Sequence, residues 1–310
     1  MSNVLLIDGM SVFMQMWHSF SCYDHKGVQS NGVGGFLNII GNFIDEIKPL
    51  KVFIIWDTGP SRHRRNINNE YKKRKFKRSQ SDIQSRTRQI AQTIKILKDT
   101  PVCQIYINGC ESVDIIAYLC KTQYNKYNKY NKVIVSTNKN LYQLIDEKIR
   151  CFSPIKRLYI TKESIRNEFR IFSKNFAVAN SLCGDVSTNV KGIKGLGFVR
   201  LSKMFPSVQD RKIKLSEIYQ TSKNMSLKNK LYSKIYMNFT MIQDNWNLIQ
   251  LENATIDNEQ ISQIDDIIKQ HSSDFEHQKL LISLAKTQLP INHEKLIESM
   301  FYLFENGTQL

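Results

Sequence analysis

The stretch Val4-Leu5-Leu6-Ile7-Asp8 is a short apolar run that ends in a carboxylate. Four further acids follow similar apolar runs: Asp57, Glu111, Asp114 and Asp185. Buried parallel strands are short apolar runs, and open α/β sheets bind ligands at the carboxyl ends of their strands. Because carboxylates gathered there would repel one another, the pattern predicts a divalent-metal site at one edge of a sheet.

The other apolar segments of the first half alternate between helical and extended spacing. Residues 32–47 begin with glycines and then place apolar side chains close to a helical period. Further helices are expected at 85–97 and 112–122, and strands at 102–107 and 132–136. This alternation, with short connections, predicts an α/β fold with a mostly parallel central sheet flanked by helices.

The chain becomes helical and polar after about residue 160. No linker separates two independent units, so we expect an α/β domain at 1–160 and a helical lobe at 161–310 packed on the sheet. The six cysteines include no C-x-x-C pair, which favours reduced, buried thiols over disulfides or zinc.

The chain carries a formal net charge of +16. Such an excess favours a polyanionic partner, with nucleic acid ahead of a membrane surface. A basic bias of an AT-rich genome is the alternative, because Lys, Asn and Ile are abundant. No apolar run approaches the ~20 residues of a transmembrane helix and no signal peptide is recognisable. We therefore expect a cytoplasmic protein, in the host cytoplasm if it is viral.

The positive charge is concentrated in residues 62–88. This stretch holds eleven Lys and Arg residues against only Glu70 and Asp82. Genome bias explains Lys better than this density of Arg, and the stretch has little apolar periodicity. We expect a protruding, solvated segment that lies in the sequence between Asp57 and Glu111.

Six blocks of the sequence, taken together and in order, resemble those of the flap endonuclease or 5′-3′ exonuclease family. They are residues 4–9, 52–57, 70–75, 109–119, 133–140 and 184–197. The resemblance covers about residues 1–205, and the size and helical tail look most like the bacteriophage members, including the phage RNase H type. It implies a PIN-like fold with a helical arch at about 61–90 and a helix-hairpin-helix at about 184–206.

The resemblance implies a site in which two divalent ions polarise the scissile phosphate. The positions that match its ligands are Asp8, Asp57, Glu111, Asp114, Asn138, Asn140 and Asp185. Four residues stand where the family usually has Asp: Val113, Asn138, Asn140 and Thr188. Asn offers a carbonyl oxygen without charge, so we expect one weakened site for Mg²⁺ or Mn²⁺ and an incomplete second site.

The acidic and Asn positions also have alternative interpretations. The strand-end Asp residues could cap the segments that follow them, and Glu111 with Asp114 could interact with a helix dipole. Asn138 and Asn140 could be engineered Asp→Asn changes that prevent cutting, although Val113 argues for natural divergence.

The resemblance also implies which residues contact nucleic acid. Lys72 and Lys75 match a Tyr-Lys signature and are the expected catalytic residues at the scissile phosphate, while Tyr71 stacks on a base or packs the arch root. The arch residues expected to hold a threaded strand are Arg62, Arg64, Arg65, Tyr71, Lys72, Lys73, Arg74 and Lys75. Duplex contacts are expected from the hairpin residues Lys191, Gly192, Lys194, Gly195, Gly197 and Lys203, with K⁺ at the loop carbonyls.

Together these features predict a structure-selective 5′ nuclease: a 5′-3′ exonuclease, a flap endonuclease or an RNase H-type enzyme that removes primers during DNA replication. Its substrate would be DNA with a 5′ flap or a single-stranded 5′ end, or an RNA–DNA hybrid. We expect a monomer that works beside replication proteins and away from membranes. The alternative is a DNA-structure-binding protein of the same fold that has lost cutting.

Overall fold

The computed structural model describes residues 2–24, 26–73, 79–121, 129–252, 255–271 and 275–307. Its main sheet contains β1 (Asn3–Asp8), β2 (Lys51–Ile55), β3 (Cys103–Ile105), β4 (Asn131–Val135), β5 (Ile149–Ser153) and β6 (Leu158–Ile160). The strand order is β3-β2-β1-β4-β5-β6, and only β6 runs antiparallel to its neighbour. The predicted, mostly parallel sheet is confirmed.

β1 is paired on both sides, with β2 and with β4. The chain first adds β2 and β3 on one side of β1 and later adds β4 to β6 on the other. This reversal places the carboxyl end of β1 at a topological switch point, where α/β sheets bind ligands. Asp8 is the last residue of β1 and pairs with Ile55 at the end of β2, so its carboxylate lies at that point.

Helices cover both faces of the sheet. One face carries α1 (Gly9–Ser19), α2 (Asn31–Ile47), α4 (Gln80–Leu97), α13 (His277–Thr287) and α14 (His293–Gly307). The other carries α5 (Ser112–Lys121), α6 (Lys162–Phe169), α7 (Phe176–Cys183), α8 (Phe198–Met204), α9 (Leu215–Met225), α10 (Lys230–Met237), α11 (Phe239–Ile249) and α12 (Asn258–Gln270). The short α3 (Arg62–Ile67) lies against α11. The apolar run of β1 serves both cores, because Leu5 faces one and Leu6 the other.

The helices after residue 161 do not form only a lobe beside the sheet. α14 returns to the first sixty residues and packs against α2, where the hydroxyl of Ser299 donates to the carbonyl oxygen of Gly41 at 3.1 Å. Leu296 and Met300 of α14 are buried in the same core as Phe36 and Leu37 of α2. The C-terminal helices thus complete a core that the N-terminal strands begin.

The basic stretch is less exposed than its composition predicts. Residues 62–67 form α3, and α4 begins at Gln80, earlier than the predicted start at 85. Arg64 is 1% exposed and Tyr71 is 3% exposed, so the predicted solvation of the segment does not hold for Arg64, and Tyr71 follows the alternative in which it packs the arch root. Their burial has a physical reason, because each meets a buried partner described below. Within the part of the chain that the structure describes, no helix is long and apolar enough to span a membrane.

Candidate active site

Two of the predicted acids, Asp8 and Asp57, are brought together by Ser112 at the start of α5. The backbone N–H of Ser112 donates to Oδ1 of Asp57 at 2.7 Å, and its hydroxyl donates to Oδ1 of Asp8 at 3.1 Å. Ser136, which follows β4, donates to the second oxygen of Asp8 at 2.7 Å. Asp8 also accepts the N–H of Ser11 and so caps α1, as the capping alternative predicts.

The surroundings of this carboxylate pair disfavour its charge. Burial, followed by the charge of Asp57, raises the pKa of Asp8 to about 6 although three hydrogen bonds oppose the shift. Burial also raises the pKa of Asp57, against the attraction of Lys72. A buried carboxylate and a half-buried one that repel each other are the arrangement that a divalent cation stabilises.

Glu111 and Asp114 are neutralised by a buried arginine. Arg64 donates to both oxygens of Asp114, with N–O distances of 2.6 Å, and its NH1 lies 3.2 Å from Oε2 of Glu111. Its Nε donates to the carbonyl oxygen of Leu248 in α11 at 2.8 Å. Every nitrogen of the guanidinium is therefore engaged inside the protein. Arg64 stabilises the site instead of lying free for a DNA strand, which corrects the prediction made for it.

Lys72 lies at the mouth of this cluster. Its ammonium donates to Oε2 of Glu111 at 2.6 Å, while its side chain remains 26% exposed. Tyr71 donates to the same oxygen at 3.2 Å and packs among Ala177, Val190 and Leu248. Tyr71 therefore packs the arch root, the second of its two predicted roles.

The charges around Glu111 and Lys72 favour the ion pair. Burial opposes the charge of Glu111, but the cations Lys72 and Arg64 outweigh it and lower the pKa of Glu111. Burial likewise opposes the charge of Lys72, but Tyr71, Glu111 and Asp57 raise its pKa. Lys72 is thus a charged, partly exposed ammonium beside the carboxylate pair.

The remaining predicted ligands use their oxygens in local contacts. Asn138 accepts the N–H of Asn140 at 3.0 Å, and the side-chain oxygen of Asn140 accepts from Asn180 at 2.9 Å. Asp185 accepts both donors of Ser187 and, at 2.9 Å, the hydroxyl of Thr188. Asp185 therefore orders its own turn, in line with the capping alternative.

Four of the predicted acids lie in one neighbourhood, where Asp57 interacts with the charges of Glu111 and Lys72, whereas Asp185 accepts hydrogen bonds within its own turn. In the described ranges, no group of three or more His, Cys, Asp and Glu side chains is arranged to hold a metal ion. Arg64 and Lys72 already supply positive charge to Glu111 and Asp114, and a shared cation for all five acids stays a prediction. Asp8 and Asp57, joined through Ser112, remain the charged candidate ligands for one divalent ion, whereas the Asn side chains are uncharged and Val113 offers no ligand atom.

The glycine-rich loop after α7 has a tightly packed backbone. β7 (Gly184–Asp185) pairs antiparallel with β8 (Val190–Lys191). A Cβ on Gly192 would lie 2.1 Å from the carbonyl of Cys183, so only glycine fits there. Arg200 donates to the carbonyl oxygen of Gly195 at 3.0 Å, which places a side-chain cation on one of the carbonyls expected to bind K⁺.

Most of the predicted nucleic-acid contacts are at the surface. The exposed ones are Arg62, Arg65, Lys73, Lys191, Lys194, Gly195, Gly197 and Lys203, and Gly192 is half-buried. Arg74 and the predicted catalytic Lys75 lie outside the described residues. The structure thus brings Lys72 to the acids and leaves the hairpin lysines open to solvent.

Known proteins share this architecture. The profile of the family described as "5′-3′ exonuclease, N-terminal resolvase-like domain" matches residues 3–170, more than half of the chain. The chain belongs to this family. The predicted 5′-3′ exonuclease family is confirmed.

Individual relatives support this assignment. A 5′-3′ exonuclease of Buchnera aphidicola subsp. Acyrthosiphon pisum (strain APS) is 29% identical over 197 residues, which cover 63% of this chain and 66% of that protein. DNA polymerase I of Bacillus subtilis (strain 168) is 26% identical over 237 residues, 74% of this chain and 26% of that protein. A flap endonuclease of bacteriophage T5, in a complex with DNA and metal ions, matches with a TM-score of 0.67 at 16% identity. The match covers 99% of this chain and 100% of the T5 chain. At 16% identity, the match confirms the fold alone.

Three kinds of functional group in this member of the 5′-3′ exonuclease family were not predicted from its sequence. The first are the serine donors around Asp8, of which Ser112 and Ser136 stand beside predicted ligands and so could have been suspected. The second is the carbonyl oxygen of Leu248, for which the sequence holds no signal. The third is the role of Arg64 as a buried ion-pair partner. The sequence does not distinguish Arg64 from Arg62 and Arg65, which are the same residue type but are exposed.

Proposed function

We propose that this chain cuts phosphodiesters near the 5′ end of a flap or single-stranded DNA end, with one divalent ion, Mg²⁺ or Mn²⁺, at Asp8 and Asp57. The observation that carries the proposal is the carboxylate pair at the switch point of the sheet, the buried Asp8 and the half-buried Asp57, with the charged Lys72 beside it. A bound ion would supply Lewis acidity toward the scissile phosphate. A relative named DNA polymerase I supports a place in DNA replication.

Lys72 and Glu111 have complementary roles in this proposal. The Lys72 ammonium is exposed enough to exchange the Glu111 carboxylate for a phosphate oxygen, and its raised pKa keeps it charged at neutral pH. With Lys72 at the phosphate, Oε2 of Glu111 would keep Tyr71 and Arg64 as partners and could serve as a third ligand to a bound ion. Arg64 keeps its hydrogen bonds to Asp114 and to the carbonyl oxygen of Leu248 throughout.

The glycine-rich loop is proposed to bind duplex backbone. Lys194 is exposed between Gly192 and Gly195, where backbone N–H groups and a cation can meet a phosphate without reading bases. Lys194→Ala is expected to weaken binding to several duplex sequences equally and to reduce the salt slope of the affinity by about 1. Fluorescence anisotropy across a salt series measures both quantities. Lys228→Ala, an exposed lysine in the turn between α9 and α10, is the matched control.

The metal site makes a prediction about stability. In metal-free buffer at pH 8, Asp8→Asn is expected to raise the melting temperature by roughly 5 °C, because it removes the repulsion with Asp57. Millimolar Mg²⁺ or Mn²⁺ should raise the melting temperature of the unmodified chain but not that of Asp8→Asn. The exposed Asp266→Asn serves as the control and should respond to metal like the unmodified chain. Equal metal responses in all three proteins would remove Asp8 from the site.

A second candidate function is favoured by the incomplete ligand set. Asn138, Asn140 and Thr188 use their side chains in local hydrogen bonds, and Val113 has no donor atom. A protein with these replacements could bind 5′ flaps without cutting them, because a second ion would lack charged ligands. The fold, the basic surface and the hairpin would then serve recognition alone.

A cleavage assay separates the two functions. The substrate is a labelled 5′ flap, and the proteins are the unmodified chain and the double variant Asn138→Asp/Asn140→Asp. The nuclease proposal expects cutting by the unmodified chain, faster in Mn²⁺ than in Mg²⁺, and further acceleration in the double variant. Cutting by the double variant alone, with flap binding by both proteins, would establish the binding function instead.

A further inference from the structure

Lys72 has an unusual backbone conformation for a lysine. Its φ is +52°, in the left-handed region that side chains other than glycine rarely adopt. Such a conformation persists only where surrounding contacts determine it, and these positions cluster at functional sites. The N–H of Lys72 donates to the carbonyl oxygen of Thr188 at 2.9 Å. The conformation of Lys72 is therefore tied to a turn more than one hundred residues away in the sequence.

A second hydrogen bond joins the same two segments. The side-chain Nδ2 of Asn189 donates to the carbonyl oxygen of Glu70 at 3.0 Å. Thr188 and Asn189 thus contact the backbone on both sides of Tyr71. Since Tyr71 is itself buried under α11, residues 70–72 have little freedom to move without the turn.

The turn is internally ordered. Asp185 accepts the N–H of Ser187 at 2.9 Å and the hydroxyl of Thr188 at 2.9 Å. Asn189 adopts a φ of +59°, which Asn tolerates better than most residues. The β7–β8 pairing and the close approach of Gly184 to Gly192 then connect the turn directly to the glycine-rich loop. The Lys72 contact and the loop proposed to bind duplex therefore belong to one compact segment.

We propose that Thr188 and Asn189 are positioning residues that hold Lys72 at a fixed distance from the glycine-rich loop. This inference rests on the proposed function, because that distance matters only if the loop holds duplex and Lys72 meets the scissile phosphate. The 185–189 turn then sets which phosphate is cut. Thr188 contributes its backbone carbonyl oxygen to the N–H of Lys72, while its hydroxyl donates to Asp185 and orders the turn.

The first arm of the test measures the chemical reactivity of the Lys72 amine and does not depend on nuclease activity. The full chain is treated with acetic anhydride, and mass spectrometry compares acetylation of Lys72 with that of its exposed neighbour Lys73. Asn189→Gly removes the side-chain donor and tolerates the positive φ. Asn189→Asp keeps the size but replaces the donor with an acceptor.

Both variants are expected to raise the Lys72-to-Lys73 ratio several-fold, because an ammonium that leaves the Glu111 carboxylate becomes accessible to the anhydride. The control Gln288→Gly lies at another position of positive φ, +44° at the end of α13, and should leave the ratio unchanged. An unchanged ratio in both Asn189 variants would overturn the proposal.

The second arm maps cut positions on a 5′ flap labelled at its 3′ end. The unmodified chain and Gln288→Gly are expected to give one main product, and the Asn189 variants to spread cutting over neighbouring phosphates. A single product from the Asn189 variants would overturn the role of the turn in choosing the phosphate. No cutting by the unmodified chain would instead contradict the proposed function, and the acetylation ratio would still decide whether Asn189 positions Lys72.

Discussion

Arg64→Met is expected to lower the melting temperature by roughly 5–10 °C. The side chain is 1% exposed, and it pairs with Asp114 and Glu111, which are 3% and 1% exposed. Removing one partner of a buried ion pair costs about 3–5 kcal/mol, because the other charge is left without compensation. For a chain of this size, each kcal/mol shifts the melting temperature by roughly 1.5–2 °C. Calorimetry or circular dichroism measures the change.

The control for Arg64 lies on the same helix. Arg65→Met removes an equal charge from an exposed position of α3 and should change the melting temperature by no more than about 1 °C. A small effect of Arg64→Met, equal to that of Arg65→Met, would mean that the ion pairs of Arg64 contribute nothing to the fold. The interpretation of Arg64 as an internal cation would then be abandoned.

Lys72→Met is expected to lower kcat for flap cleavage by about 10²–10³-fold, the usual cost of one charged group that stabilises a transition state. Flap affinity should fall only slightly, because the exposed arch and hairpin cations remain. The effect is on the chemical step, so single-turnover kinetics at saturating protein are the appropriate measurement.

Lys73→Met provides the comparison for Lys72. Lys73 is adjacent in sequence, but it is exposed and paired with Glu70 at 2.7 Å instead of with an active-site acid. Its replacement should change kcat by less than about threefold. Equal losses in the two variants would show that the segment contributes only diffuse positive charge.

The sequence predicts the sheet well because its signals are local. Each buried strand is a short apolar run, and the motif blocks follow one another in family order, so β1, β2 and β4 and the position of Asp8 could be placed in advance. The proximity of Asp8 and Asp57 could be predicted for the same reason, since the carboxyl ends of adjacent parallel strands meet at one edge of the sheet.

The internal neutralisation of the acids could not be predicted from the sequence. Arg64 meets Asp114 across fifty residues and Leu248 across one hundred and eighty-four, and neither contact leaves a local pattern. Both Arg64 and Arg65 lie in the basic stretch 62–88, and its composition does not indicate which arginine is buried. Asp185 resembled a metal ligand by motif, whereas its donors Ser187 and Thr188 are so near in sequence that the capping contact was the stronger alternative.

Titration calorimetry with Mn²⁺, on the unmodified chain and on Asp8→Asn, tests the central claim most directly. One divalent ion held by Asp8 and Asp57 predicts a single binding event per chain for the unmodified protein and its loss in Asp8→Asn. Two equivalent events, or binding that Asp8→Asn leaves unchanged, would contradict the account.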